Sequence, residues 1–210
     1  MVSALTRWVT MLLVIAAAQL AAAAETAPAP VPTSVAVTGY YYSMRDEPDF
    51  GVGVATVDHG PWHFETRYNY EAHNAASAFV GWTFSGGDAV TFEVTPIVGA
   101  LFAAGRGFIP GVEASVAWGP LDAYIEAEYV DDRNQPGTRY TYAWAEIGWR
   151  PAEWLRLGLA SQHTNTVDTG RDIQRGIFAQ FTVKRVTLSV YAFNPDSGSR
   201  YIITSLGASF

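Results

Sequence analysis

From residue 33 onward the chain repeats one unit, roughly ten residues of alternating character followed by a turn, which is the signature of strands in a barrel. Alternation places successive side chains on opposite faces of a strand. Twelve such units are readable: Thr33–Met44, Gly51–Asp58, Trp62–Glu71, Ala76–Ser85, Ala89–Phe102, Phe108–Trp118, Leu121–Val130, Tyr140–Arg150, Trp154–Asn165, Arg171–Val183, Val186–Phe193 and Arg200–Phe210. No segment combines a helical period with caps. After residue 24 no apolar stretch approaches the roughly 20 residues of a spanning helix. If this part of the chain enters a membrane, it does so as a closed barrel, because lipid satisfies no backbone polar group.

The turns alternate in kind. His59-Gly60-Pro61, Gly86-Gly87-Asp88, Gly119-Pro120, Pro151-Ala152-Glu153 and Lys184-Arg185 are tight. The connections between them include longer polar loops at Arg45–Phe50, Asp131–Arg139, Thr166–Gly170 and Asn194–Ser199. Short turns at one end and longer loops at the other are the habit of outer-membrane barrels. An even strand count then returns both termini to the short-turn, periplasmic end. Aromatics sort along the same axis. Trp62, Trp82, Trp118, Trp149 and Trp154 fall near expected periplasmic ends. Tyr40, Tyr41, Tyr42, Tyr68, Tyr70, Tyr129, Tyr140, Tyr142 and Tyr201 fall near expected outer ends. Two aromatic girdles are what two membrane interfaces favour.

The N-terminus reads separately. Arg7 precedes an apolar run from Trp8 to Ala18, then small residues from Ala21 to Ala24. This order predicts a secretory signal peptide over residues 1–24, cut just before Ala24 or Glu25. Residues 25–32 alternate Ala, Thr and Pro, an extended linker. The barrel is expected over 33–210. The chain has no cysteine, which removes disulfides and thiolate metal sites from consideration. Its formal net charge is −7, and Lys184 is the sole lysine. Such a chain lacks the basic footprint of a nucleic-acid partner.

The polar face decides inside from outside. Around Trp62–Tyr70 the apolar positions Trp62, Phe64, Thr66, Tyr68 and Tyr70 alternate with His63, Glu65, Arg67 and Asn69. Around Leu121 the apolar set Leu121, Ala123, Ile125 and Ala127 alternates with Asp122, Tyr124, Glu126 and Glu128. Charges between aromatic ends fit a polar lumen and a lipid-facing exterior.

The chain ends Ser205-Leu206-Gly207-Ala208-Ser209-Phe210. An aromatic last residue after an alternating final strand resembles the assembly signal of Gram-negative outer-membrane β-barrel proteins, the porin-like class. Ser205 stands where that class usually has glycine, with Gly207 nearby. The resemblance covers 33–210. It implies an all-β, antiparallel up-and-down barrel in the bacterial outer membrane. Its partners are then outer-membrane lipid and the barrel-insertion machinery that reads Phe210.

The expected lumen set is Glu65, Glu93, Glu113, Glu126, Glu128 and Glu146 against Arg67 and Arg156, with Arg150 near the periplasmic end. Unpaired charges at membrane depth line water or partners. Rings of acids attract cations, so the preferred reading is a narrow, cation-preferring channel for small ions or polar solutes. A barrel plugged by its own salt bridges is the structural alternative. A third reading is a lipid acyl hydrolase acting from the outer face. Such barrels resemble this one in carrying a His-x-Ser pair, whereas here the order is Ser161-x-His163 with Asn165 beyond. A serine beside a base is the minimum for an activated nucleophile. Asp131 and Asp132 are adjacent acids with weak promise for a divalent cation. His59, His63, His73 and His163 show no ligand spacing along the chain, so no metal and no cofactor is assigned.

Overall fold

The computed structural model describes residues 31–103, 105–133, 139–166 and 170–210. The expected signal peptide, most of the linker and parts of three outer loops lie outside the described residues. The strands are β1 (Thr33–Met44), β2 (Phe50–His59), β3 (Trp62–Tyr68), β4 (Ala75–Trp82), β5 (Phe84–Gly87), β6 (Val90–Ala103) and β7 (Gly107–Trp118). They continue as β8 (Leu121–Asp132), β9 (Tyr140–Ala152), β10 (Leu155–Thr166), β11 (Gly170–Val183), β12 (Val186–Phe193) and β13 (Tyr201–Ser209). Apart from β4 and β5, which both pair with β6 and not with each other, each strand pairs antiparallel with its sequence neighbours, and β1 pairs with β13. The sheet therefore closes on itself and leaves no edge.

β4 and β5 are one barrel strand interrupted at Thr83. The register runs through unchanged, from Gly81↔Ile97 to Phe84↔Val94. The gap lies across from Thr95 and Pro96, and proline has no N–H to give the ladder. Thr83 compensates by donating its N–H to the Pro61 carbonyl at 2.7 Å and by pairing its hydroxyl with that of Thr95 at 2.9 Å. Counted this way the barrel has the expected twelve strands.

Tight turns join the strands at the end where β1 starts and β13 stops. At the β11–β12 turn Lys184 takes a left-handed φ of 56°, the geometry a two-residue hairpin requires. The outer surface is apolar all the way round. Ile147, Leu159 and Leu206 are 63%, 61% and 60% exposed, and Phe64, Ile125, Ile177 and Ile202 are exposed in the same band. A continuous apolar belt of this kind needs lipid as its solvent, so the barrel is a transmembrane one. No described helix is long and apolar enough to cross a membrane; the crossing is made by strands.

Trp62, Trp82, Trp118, Trp149 and Trp154 form the expected exposed girdle at the turn end. The outer girdle is narrower than the sequence implies. Tyr41, Tyr68 and Tyr129 face outward. Tyr40, Tyr42, Tyr142 and Tyr201 instead turn into the lumen, where Tyr201 donates to Gln162 at 2.7 Å and Tyr142 accepts from it at 3.2 Å. Position along a strand sets the depth of a side chain, but parity sets its face.

Candidate functional site

Strict alternation along β3 turns His63, Glu65 and Arg67 to the inside, all nearly covered. Arg67 Nε donates to Glu65 Oε1. Its Nη1 donates to Glu126 Oε1 at 2.9 Å and to Glu128 Oε2 at 3.0 Å. These two acids stand on β8, with β4, β6 and β7 between, so the side chain bridges the lumen. Glu71 and Glu113 also come within ion-pair range, at 3.6 and 3.7 Å. The guanidinium lies over the rings of Tyr70 (4.6 Å) and Phe79 (4.3 Å). Five carboxylates thus surround one guanidinium, far from charge balance. Hydrogen bonds take up part of the excess. Tyr70 donates to Glu126 at 3.1 Å, Tyr124 to Glu126 at 3.4 Å, and Ser77 to Glu71 at 2.7 Å.

Arg156, on β10, builds a second centre nearer the turn end. It donates to Asp122 (2.8 Å from Nε), to Glu146 (2.5 Å) and to Gln180 (3.0 Å). Glu146 also accepts from Trp144 Nε1 at 3.0 Å and from the Tyr191 hydroxyl at 2.8 Å. Arg150, half exposed, reaches Asp122 at 3.1 Å. The two arginines share a local plan. Arg67 stacks on Phe79, whose cross-strand partner is Gly99; Arg156 stacks on Phe178, whose cross-strand partner is Gly158. In each pair an added Cβ on the glycine would collide with the phenyl ring. Each glycine lets a phenylalanine lie flat on the wall and carry a guanidinium.

Open space runs through these side chains in steps. A cavity of about 710 Å³ opens between Glu93, Asp122, Tyr124, Glu146 and Arg156 at the turn end. A chamber of about 350 Å³ follows in the middle, lined by His63, Glu65, Arg67, Glu113 and Glu126, and it shares Tyr124 and Glu146 with the first. Smaller spaces of about 150 and 340 Å³ continue toward the outer end beside Tyr42, Tyr70 and Tyr140. Each far exceeds the roughly 30 Å³ that one water occupies. The separating walls are side chains, among them Tyr70, edge-on to Tyr142 with ring centroids 5.8 Å apart.

Tyr70 and Glu71 were not legible as site residues. Alternation continued past Tyr68 places Tyr70 outward and Asn69 inward. Instead β3 stops at Tyr68, Asn69 takes a left-handed φ of 61°, and its N–H bonds the Ala75 carbonyl at 2.8 Å. That reversal swings Tyr70 into the barrel, while Glu71 stays inward beyond the end of the strand.

The barrel brings Glu65, Arg67, Glu113, Glu126 and Glu128 into one centre, and Arg156 and Glu146 into the other. Glu93 joins neither. It faces inward but lies near the turn end of β6, exposed at the mouth of the turn-end cavity of about 710 Å³, and among the described residues it makes no ion pair. Asp131 and Asp132 cannot act together, since neighbours in β8 point to opposite faces; Asp131 pairs with Arg139 at 2.6 Å. His63 Nε2 converges with carboxylate oxygens of Glu65 and Glu113, residues that chain spacing does not relate.

Ser161 and His163 do lie on the outward face of β10. Among the described residues they share no hydrogen bond. His63 has an acid for its ring, but His163 Nε2 accepts from Arg171 Nε at 2.8 Å. A cation at that nitrogen is the opposite of the orienting acid that a triad uses.

The closed twelve-strand wall, apolar without and charged within, has counterparts among solved structures. A KdgM porin superposes with a TM-score of 0.64 at 9% sequence identity, over 83% of this chain and 99% of that one. The fold is that of the small outer-membrane porins. A KdgM porin in complex with disordered oligogalacturonate gives 0.57 at 9% identity, covering 84% of this chain and 99% of that one. The NanC porin gives 0.55 at 11%, with 84% and 98% covered. At these identities the porin likeness is one of fold. No protein-family model matches the chain, and no curated protein matches it in sequence.

Proposed function

We propose that the chain is a narrow porin-like channel of the outer membrane with a cation-preferring lumen. The observation that carries this reading is the charge imbalance at mid-lumen: Glu65, Glu71, Glu113, Glu126 and Glu128 around the single guanidinium of Arg67, beside a chamber that adjoins further cavities on both sides. Excess acid in a confined path attracts cations and repels anions. The KdgM porin of the second comparison was solved with oligogalacturonate. A chain of uronate carboxylates would meet like charge in this lumen, so a polyanionic oligosaccharide is the solute class it disfavours.

The test is reversal potential across a salt gradient in a planar bilayer holding the refolded barrel. Discrete openings with cation preference are expected. Glu126→Gln should lower that preference more than Glu93→Gln, because Glu93 sits at an exposed mouth. Equal selectivity in both variants and the unmutated barrel would remove the acidic centre from the path.

A second reading, a plugged barrel without transport, is favoured by the Arg67 and Tyr70 contacts that span the lumen. A barrel that inserts but stays electrically silent in the same experiment would establish it.

A further inference from the structure

His63 is held from one side only. Its Nδ1 lies 2.7 Å from Asp58 Oδ1, its direct cross-strand partner. The other ring nitrogen, Nε2, is buried and makes no hydrogen bond among the described residues, and the side chain is 9% exposed. It points at Glu65 Oε2, 3.7 Å away, and at Glu113 Oε2, 3.9 Å away. Both separations are too long for hydrogen bonds. The three atoms bound part of the central chamber of about 350 Å³.

The other oxygens of the same acids are already engaged. Glu65 Oε1 accepts from Arg67, and Glu113 Oε1 lies 3.7 Å from Arg67 Nη2. Each carboxylate therefore turns one oxygen to the guanidinium and leaves its second facing the imidazole. The result is a gap with one nitrogen and two oxygens around it.

We infer that this gap is a binding site for a first-row divalent metal ion of the zinc type, held by His63 Nε2, Glu65 Oε2 and Glu113 Oε2. Imidazole with carboxylate suits such ions, whereas calcium and magnesium prefer oxygen alone. Zinc bonds of about 2.0–2.1 Å to nitrogen and oxygen set tetrahedral ligands about 3.3 Å apart. The Nε2–oxygen separations of 3.7 and 3.9 Å need shifts of only a few tenths of an ångström. Asp58 supplies the outer carboxylate that typically orients a metal-bound histidine and fixes its tautomer. Two positive charges would also offset the surplus of acid around Arg67. Three protein ligands leave a fourth position facing the chamber, open to water or solute. The site does not depend on conduction, since an equilibrium binding measurement reports it in an open or a plugged barrel.

The experiment titrates the refolded, metal-stripped barrel in detergent with Co²⁺, read by its visible absorption, and with Zn²⁺ in competition. One saturable equivalent per barrel is expected, with Zn²⁺ displacing Co²⁺. His63→Ala should lower affinity at least about 100-fold, and Asp58→Asn by roughly 10- to 100-fold, the usual size of an outer-carboxylate effect. Glu113→Gln, close in shape to the original, keeps the test available should His63→Ala misfold; heat-modifiable gel mobility reports folding of each variant. Absence of saturable binding by the unmutated folded barrel would overturn the proposal. Undiminished binding by a folded His63→Ala or Glu113→Gln barrel would do the same.

Discussion

Phe79 and Gly99 face each other across β4 and β6, and the ring occupies the space that a side chain on Gly99 would need. The ring in turn carries the Arg67 guanidinium at 4.3 Å. Gly99→Val is therefore expected to displace Phe79 and loosen the arginine centre, at about 1–3 kcal/mol, as overpacking generally costs. Gly53→Ala, where an added Cβ meets nothing within 4 Å, should change stability by less than about 0.5 kcal/mol. Urea unfolding of both variants in lipid vesicles makes the comparison.

Removing the guanidinium should be worse than removing an acid. Arg67→Met leaves five carboxylates without their central cation, and breaking a buried ion pair on one side costs about 3–5 kcal/mol. Adding Glu126→Gln and Glu128→Gln to Arg67→Met should restore part of the loss. A rescue no larger than the sum of the separate effects, measured by vesicle unfolding, would mean the charges are not coupled.

Tyr70 narrows the outer half of the lumen through its contact with Tyr142 and its bond to Glu126. Tyr70→Ala removes a ring and should raise single-channel conductance, or make a silent barrel conduct. Conductance unchanged from the unmutated protein would place the narrowest point elsewhere, with Arg156 and Glu146 as the next site to vary.

Phe210 exchanges two backbone hydrogen bonds with Val35, at 2.8 and 3.2 Å, while its ring projects outward, 66% exposed. A ring that packs against so little protein is free to be read from outside. Deleting Phe210 is expected to slow insertion in cells. Pulse-chase assembly kinetics at the unmutated rate would show that the ring carries no signal.

Alternation made the barrel legible, because a membrane barrel writes its two solvents onto two faces of each strand. It gave β1 and β12 their observed ends and placed Glu65, Arg67, Glu126 and Glu128 on the inside. It failed where the period breaks. Asn69 reverses the chain in a left-handed conformation, so Tyr70 changes face while Glu71 stays inward beyond the end of the strand, and nothing in the spacing marks that event. The outer tyrosines misled for a related reason. A phenol suits a membrane interface and a wet lumen alike, so only parity separates Tyr41 from Tyr40 and Tyr42. The grouping of His63 and Glu65 with Glu113 was hidden most completely. It comes from the curvature of the closed wall, which brings β3 and β7 toward one another across the interior, and sequence distance carries no trace of it.

Closure between β1 and β13 gives the molecule a seam where its first and last strands meet. An unfinished chain has no partial barrel to settle into. Without β13, β1 and β12 become raw edges in lipid, and the lumen loses Tyr201 and Ile203 from its buried apolar cluster. Completeness is thereby tested by geometry, since the membrane accepts the whole cylinder or leaves two strands unpaired.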